Sequence, residues 1–132
     1  MKAQELRIGN LVRTISEESE VLKIEAIKIF DKTTDSDCVR LESFTKWLEI
    51  DCIEPIIITE DWLIKLGFGC IPQIKEEYFR NCLSFNIKDN ICFFETDCQP
   101  EYFNHIKYLH QLQNFYFLLT NQELEINETK KV

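Results

Sequence analysis

The chain has 132 residues, 45% of them hydrophobic and 29% charged, and a formal net charge of −8. That length fits one domain, or two small lobes sharing a core, and the apolar fraction is enough to build it. The acidic balance argues against non-specific binding to a nucleic-acid backbone, because repulsion by the phosphates opposes the gain from counterion release.

The charge is uneven. Residues 1–50 hold eight basic and ten acidic side chains, a net −2, and the remaining −6 falls in the rest, so a local basic patch on the first half is allowed. No apolar run approaches the roughly 20 residues that span a bilayer. The start, Met1-Lys2-Ala3-Gln4-Glu5-Leu6-Arg7, lacks the apolar stretch of a signal peptide. The expectation is a cytoplasmic chain with no membrane association. The six cysteines form no C-x-x-C, and the closest pair is Cys92 and Cys98, whereas structural zinc sites draw ligand pairs from tight turns. His105 and His110 lie about 140° apart around a helix and cannot chelate from one face. Reduced thiols, no metal and no cofactor are expected.

The first half reads as β structure. Leu6 to Val12 has a Gly9-Asn10 turn signal between short apolar runs. Glu17 to Glu20 is a polar loop. Val21 to Phe30 alternates but slips phase, with Leu22 and Ile24 on one parity and Ile27 and Ile29 on the other, which is what a bulge produces. Asp31 to Asp37 is a turn. Cys38 to Glu42 places Val39 and Leu41 inward and Arg40 outward. Lys46 to Ile53 reads as a further strand with Leu48, Ile50 and Cys52 on one side. Pro55 precedes Ile56-Ile57-Ile58. Short, bent, antiparallel strands over residues 1–58 predict an SH3-like small barrel.

Thr59 is an N-cap followed by Glu60 and Asp61, with Ile58 able to staple onto Leu63, and Gly67 stops the helix. Trp62, Leu63 and Leu66 are its buried side. After Tyr78-Phe79-Arg80 comes a hairpin. A two-residue Asp89-Asn90 turn sets Phe85 opposite Phe94 and Ile87 opposite Cys92, leaving one strongly apolar face for a helix. That helix begins near Asn104 or Ile106. Tyr108, Leu109, Leu112, Phe115, Tyr116 and Leu119 form its core stripe. His110, Asn114 and Phe117 stack on the other side beside Gln113, and Asn121 ends it. Glu123 to Ile126 reads as an edge strand, and residues 127–132 as a frayed tail. The fold class is α+β: a barrel lobe over 1–58, then helix, hairpin and helix over 59–126 sharing its core.

Glu5 to Val12, Pro55 to Phe68 and Ile106 to Thr120 together resemble a group of small uncharacterised proteins of Bacteroidetes genomes, prophages and phages. That group opens with an L-R-I-G-N motif and closes with a Y-V-H-Q-L-Q-N-L-Y-F-A-L-T-G-E-E-L-like helix. This chain departs from it by Leu109 for Val, Phe115 for Leu, Leu118 for Ala, and Asn121-Gln122 for Gly-Glu. The resemblance spans both ends and the middle, implies a phage or mobile-element setting, and carries no catalytic residues.

A Cys-His-Asn site can be drawn from His110, Asn114 one turn on, and a cysteine, but no cysteine is marked as a nucleophile. No phosphate loop, H-E-x-x-H or G-x-S-x-G is present, so an enzyme is not expected. His110, Gln111, Gln113 and Asn114 offer hydrogen bonds without a charge to desolvate. They serve the hairpin backbone or the barrel's strand ends, an interface, or a small ligand. Phe117 and Leu118 lie outside the core stripe and would be buried against the barrel or against a second copy, which admits self-association. The expected function is a non-catalytic binding protein that sequesters or occludes a host component in the host cytoplasm, a nucleotide-signal sponge being one form of it. The alternative is a nucleic-acid-binding SH3-like module using Arg7, Arg13, Lys23, Lys28, Arg40 and Lys46, with Trp47 either a stacking platform or core.

Overall fold

The computed structural model describes residues 1–16, 19–29, 37–71, 73–81, 83–89, 91–95 and 100–126. The expected turn at 31–36, the second hairpin-turn residue Asn90 and the tail lie outside them. The fold is α+β and built from antiparallel sheets. The chain divides into two units, Met1–Ile56 with Tyr108–Phe115, and Ile57–Lys107 with Tyr116–Val132.

In the first unit, strands β1 (Leu11–Thr14), β2 (Val21–Lys28), β3 (Cys38–Leu41), β4 (Leu48–Glu49) and β5 (Ile53–Glu54) form one sheet in the order β4-β3-β2-β1-β5. The phase slip in β2 is a bulge: Ile24 pairs with Leu41 and Ala26 with Arg40, leaving Glu25 as the extra residue. The bulge turns Ile24 and then Ile27 toward the same core of Leu6, Val12, Val39, Leu41 and Ile53. Ile29, past the end of β2, is exposed instead.

The barrel is not closed, since β4 and β5 are the two edges of the sheet. Nor is Lys46 to Ile53 one strand. A 3-10 turn over Ile50–Cys52 separates β4, which pairs with β3, from β5, which pairs with β1. Its tighter winding breaks the two-residue alternation, so Ile53 is buried while Cys52 is exposed.

In the second unit, Thr59 caps α1 (Glu60–Lys65) by accepting from the Trp62 N–H. The helix ends as the residues predict. Gly67 sits at φ 84°, its N–H donates to Ile64 O, and the Phe68 N–H donates to Leu63 O. This is a Schellman closure, which needs a left-handed residue after the cap. Leu63 and Leu66 are buried and Trp62 half-buried.

Strands β6 (Gly69–Ile71), β7 (Ile74–Arg80), β8 (Leu83–Asn86), β9 (Ile91–Glu95) and β10 (Pro100–Phe103) make an antiparallel meander in the order β10-β9-β8-β7-β6. The edge strands β6 and β10 go beyond the predicted hairpin. One opens on glycine and the other on proline, residues that weaken a strand reading and are tolerated at strand starts and edges. The hairpin register differs by two residues from the predicted one, with Phe85 opposite Cys92 and Leu83 opposite Phe94. The connection is longer than a two-residue turn because Asn86 Oδ1 accepts from the Lys88 and Asp89 N–H groups at 3.1 and 3.0 Å. A shift of two keeps every side chain on its face, so Leu83, Phe85 and Cys92 are still buried.

Helix α2 (Leu109–Thr120) starts later than predicted. Ile106 is buried without being helical, and the Ile58 N–H donates to Lys107 O. The start is fixed by Gln111, whose Oε1 accepts from the Tyr108 N–H at 3.0 Å, one half of a capping box. Asn121 closes the helix at φ 56°, its N–H donating to Phe117 O. Leu109, Leu112 and Tyr116 are fully buried. In the second unit, the Tyr116 hydroxyl accepts from Asn81 Nδ2 and the Arg80 guanidinium lies over its ring. Glu123 to Ile126 forms no strand, and the segment is anchored by buried Leu124. No helix among the described residues is long and apolar enough to cross a membrane.

Candidate functional site

The L-R-I-G-N segment folds as a turn over Arg7-Ile8-Gly9-Asn10, closed by the Asn10 N–H donating to Arg7 O at 3.0 Å. Gly9 occupies the third position at φ 96°, where a side chain would be strained. Asn10 Oδ1 accepts from the Arg7 N–H at 2.7 Å. The turn is then gripped by α2. Gln113 Oε1 accepts from the Leu11 N–H at 2.8 Å, and Gln113 Nε2 donates to Gly9 O at 3.2 Å. Asn114 Oδ1 accepts from Asn10 Nδ2 at 2.8 Å and from Arg7 Nε at 3.2 Å, while its Nδ2 donates to Glu5 O at 2.9 Å. Two amides spaced one residue apart on a helix thus serve the backbone ahead of β1. Gln113 and Asn10 are buried, where unmet donors and acceptors are costly.

His110 lies apart from this clasp. It is 1% exposed, neither ring nitrogen has a hydrogen-bond partner among the described residues, and the ring stacks parallel to Tyr108 at 6.0 Å. Burial lowers its pKa, Glu5 opposes that shift, and the N-terminal ammonium adds to it. A neutral imidazole without an orienting partner has neither tautomer fixed for general-base work. Gln111 caps the helix, and Phe117 is half-buried in the second unit.

Of the described cysteines, Cys52 and Cys70 are exposed, Cys38 is half-buried, and Cys92 is buried. Burial pushes the Cys92 thiol up to about 12, the opposite of an activated nucleophile. Cys82 and Cys98 lie outside the described residues. Among the described residues, no group of three or more His, Cys, Asp or Glu side chains could hold a metal ion.

The six candidate cations differ in their surroundings. Arg7 is held by the clasp through Asn114 Oδ1 and reaches Gln113 O at 3.5 Å. Arg13 and Lys23 are half-buried on β1 and β2. Lys28 and Arg40 instead flank Trp47, with Lys28 Nζ at 4.6 Å and Arg40 Cζ at 5.8 Å from the ring centroid. Trp47 is an exposed residue and not core. Lys46 beside it is exposed as well.

The first unit also contains a cleft of about 420 Å³ lined by Thr14, Ile15, Ser16, Glu20, Phe44, Leu48 and Cys52. Sequence reasoning missed it, because its walls come from three separate stretches joined only by sheet pairing. The Ile15 N–H donates to Cys52 O, and the Glu20 N–H donates to Thr14 Oγ1, so both rims are tied down. Among the described lining residues, Glu20 is the charged one. No protein-family model, curated protein or solved structure matches the chain.

Proposed function

We propose that the chain is a non-catalytic binding protein of phage or mobile-element origin that sequesters or occludes a host component in the host cytoplasm. The origin rests on the likeness of its L-R-I-G-N turn and its H-Q-L-Q-N helix to the phage and prophage group. The binding reading is carried by the cleft of the first unit. Its volume, about 420 Å³, falls in the range of ligand pockets, about 300–1,000 Å³. Ile15, Phe44, Leu48 and Cys52 supply its apolar wall, and Thr14, Ser16 and Glu20 the polar groups that orient an occupant.

The described part of the lining holds a carboxylate and no cation. It therefore suits a neutral or cationic group, such as a partner's side chain or a small apolar amine, better than the phosphates of a nucleotide signal. The polar side of α2 is not the binding surface in this reading, since Gln113 and Asn114 are engaged with the turn. The first unit is further read as an SH3-like barrel left open. The support is that β1 lies between β2 and β5, so the last strand returns beside the first, and that the β2 bulge bends the sheet. Self-association would use Leu118, the 79% exposed apolar residue of α2.

Native mass spectrometry of the protein drawn from host cells, compared with Leu48→Glu, tests the reading. A retained species that disappears with Leu48→Glu supports it. A species retained equally by a folded Leu48→Glu variant contradicts it.

A further inference from the structure

We infer that the face of the first sheet around Trp47 binds an unstacked nucleobase together with its phosphate, chemistry shared by free nucleotides and single-stranded nucleic acid. This site is separate from the cleft and rests on different residues. β3 pairs with β4 through Val39 and Leu48, and continuing that register by one pair sets Trp47 beside Arg40. Val39 and Leu41 point into the core, so Arg40 lies on the opposite face. Trp47 is 39% exposed just before β4, whose first residue Leu48 packs against the core.

Two cations meet this accessible ring, and a third precedes it in the chain. Lys28 and Arg40 lie over it, and Lys46 is the exposed preceding residue. Among the described residues, the nearby acids include Glu25, 4.0 Å from Arg40 with both side chains about half exposed, exposed Glu49 two residues further along, and half-buried Asp37, next in the chain to Cys38, which pairs with Lys28. A solvent-screened pair of that length holds Arg40 weakly. In a chain of net −8, two cations set over an exposed indole put positive charge at the ring itself. Any nucleobase offers a face to stack on the ring, and the cations over the ring are placed to turn onto the attached phosphate. An acidic peptide would use the cations and leave the ring unused, which separates the two partners experimentally.

The chain has two tryptophans, so Trp62→Phe leaves Trp47 as the single reporter. Titrating that variant at low salt with a ten-residue oligothymidylate, thymidine monophosphate and polyglutamate tests the site. The expected result is saturable quenching of Trp47 emission by a nucleotide probe and none by polyglutamate. For the oligonucleotide, the log–log salt slope should be about −2 if all three cations meet phosphates. Affinity measured by oligonucleotide anisotropy should fall at least tenfold in Trp47→Ala and in Lys28→Ala/Arg40→Ala. Unchanged circular dichroism would show that both variants fold. Quenching by the oligonucleotide alone assigns single strands, and equal quenching per phosphate by the monophosphate assigns free nucleotides. No quenching by either nucleotide, equal quenching by polyglutamate, or undiminished binding by folded Trp47→Ala would overturn the inference.

Discussion

The Asn10 side-chain amide donates to Asn114 Oδ1 at 2.8 Å, joining residues 104 positions apart in the chain. Each belongs to one of the two most distinctive segments of the sequence, the turn before β1 and the first half of α2. The same Asn114 oxygen takes Arg7 Nε, and its amide nitrogen reaches Glu5 O. The polar groups of the two segments satisfy each other. This explains why a helix with so apolar a circumference carries neutral amides at 113 and 114.

The adjacent amide should behave the same way. Gln113→Leu removes the acceptor for the buried Leu11 N–H and the donor to Gly9 O. We expect a loss of about 2–3 kcal/mol of unfolding free energy, the cost of stranding those groups. Urea denaturation measures it, and an unchanged midpoint would remove Gln113 from the clasp.

Much of this was legible beforehand, and the failures have local causes. The phase slip at Ile24 and Ile27 announced the bulge, and Thr59, Gly67 and Asn121 marked helix ends through caps that depend on a few neighbouring residues. The apolar pattern runs back to Ile106, ahead of the true start of α2, because Ile106 is buried from a non-helical segment. The hairpin register failed because the Asn86 side chain competes for backbone N–H groups, a choice that dipeptide turn signals do not encode. Gln113 and Asn114 stand out in the sequence as polar residues on an apolar helix. Their partners could not be read from spacing, since they lie about a hundred residues away. The cleft left no trace in the sequence at all.

Gly67 offers a test of the α1 stop. Its φ of +84° disfavours any side chain, and a Cβ there would come within 3.1 Å of Arg80 Nη1, which donates to Leu66 O. Gly67→Ala should therefore destabilise the second unit by about 1–3 kcal/mol. Thermal unfolding followed by Trp62 emission in a Trp47→Phe background reads that unit directly.

His110 sets a pH dependence. Its folded pKa is lowered by burial, so the unfolded chain takes up the proton first, near the ordinary value of about 6.5. This contribution to stability is intact above that pH and is lost progressively as pH falls from there toward the lowered folded value. Glu5, which favours the charged form, limits the loss, and the N-terminal ammonium adds to it. Urea midpoints between pH 7.5 and 5 should fall for the native chain and fall less for His110→Phe. Parallel curves would show that His110 does not titrate in this way.

Self-association through α2 predicts a mass of more than one chain in native mass spectrometry, reduced to one chain by Leu118→Asp. Because Leu118 is 79% exposed, the substitution should leave the melting temperature of the single chain unchanged. A monomer before the substitution counts against this part of the reading.

The central claim is that the polar side of α2 is a clasp for the N-terminal turn, leaving binding to surfaces elsewhere on the first unit. The most direct measurement is a double-mutant cycle on Asn10→Ala and Asn114→Ala, read by urea unfolding. The clasp predicts that the double variant loses less than the sum of the single losses, with a coupling of about 1–2 kcal/mol. Strictly additive losses would mean that Asn10 and Asn114 do not support each other, and the polar side of α2 would again be open to a ligand.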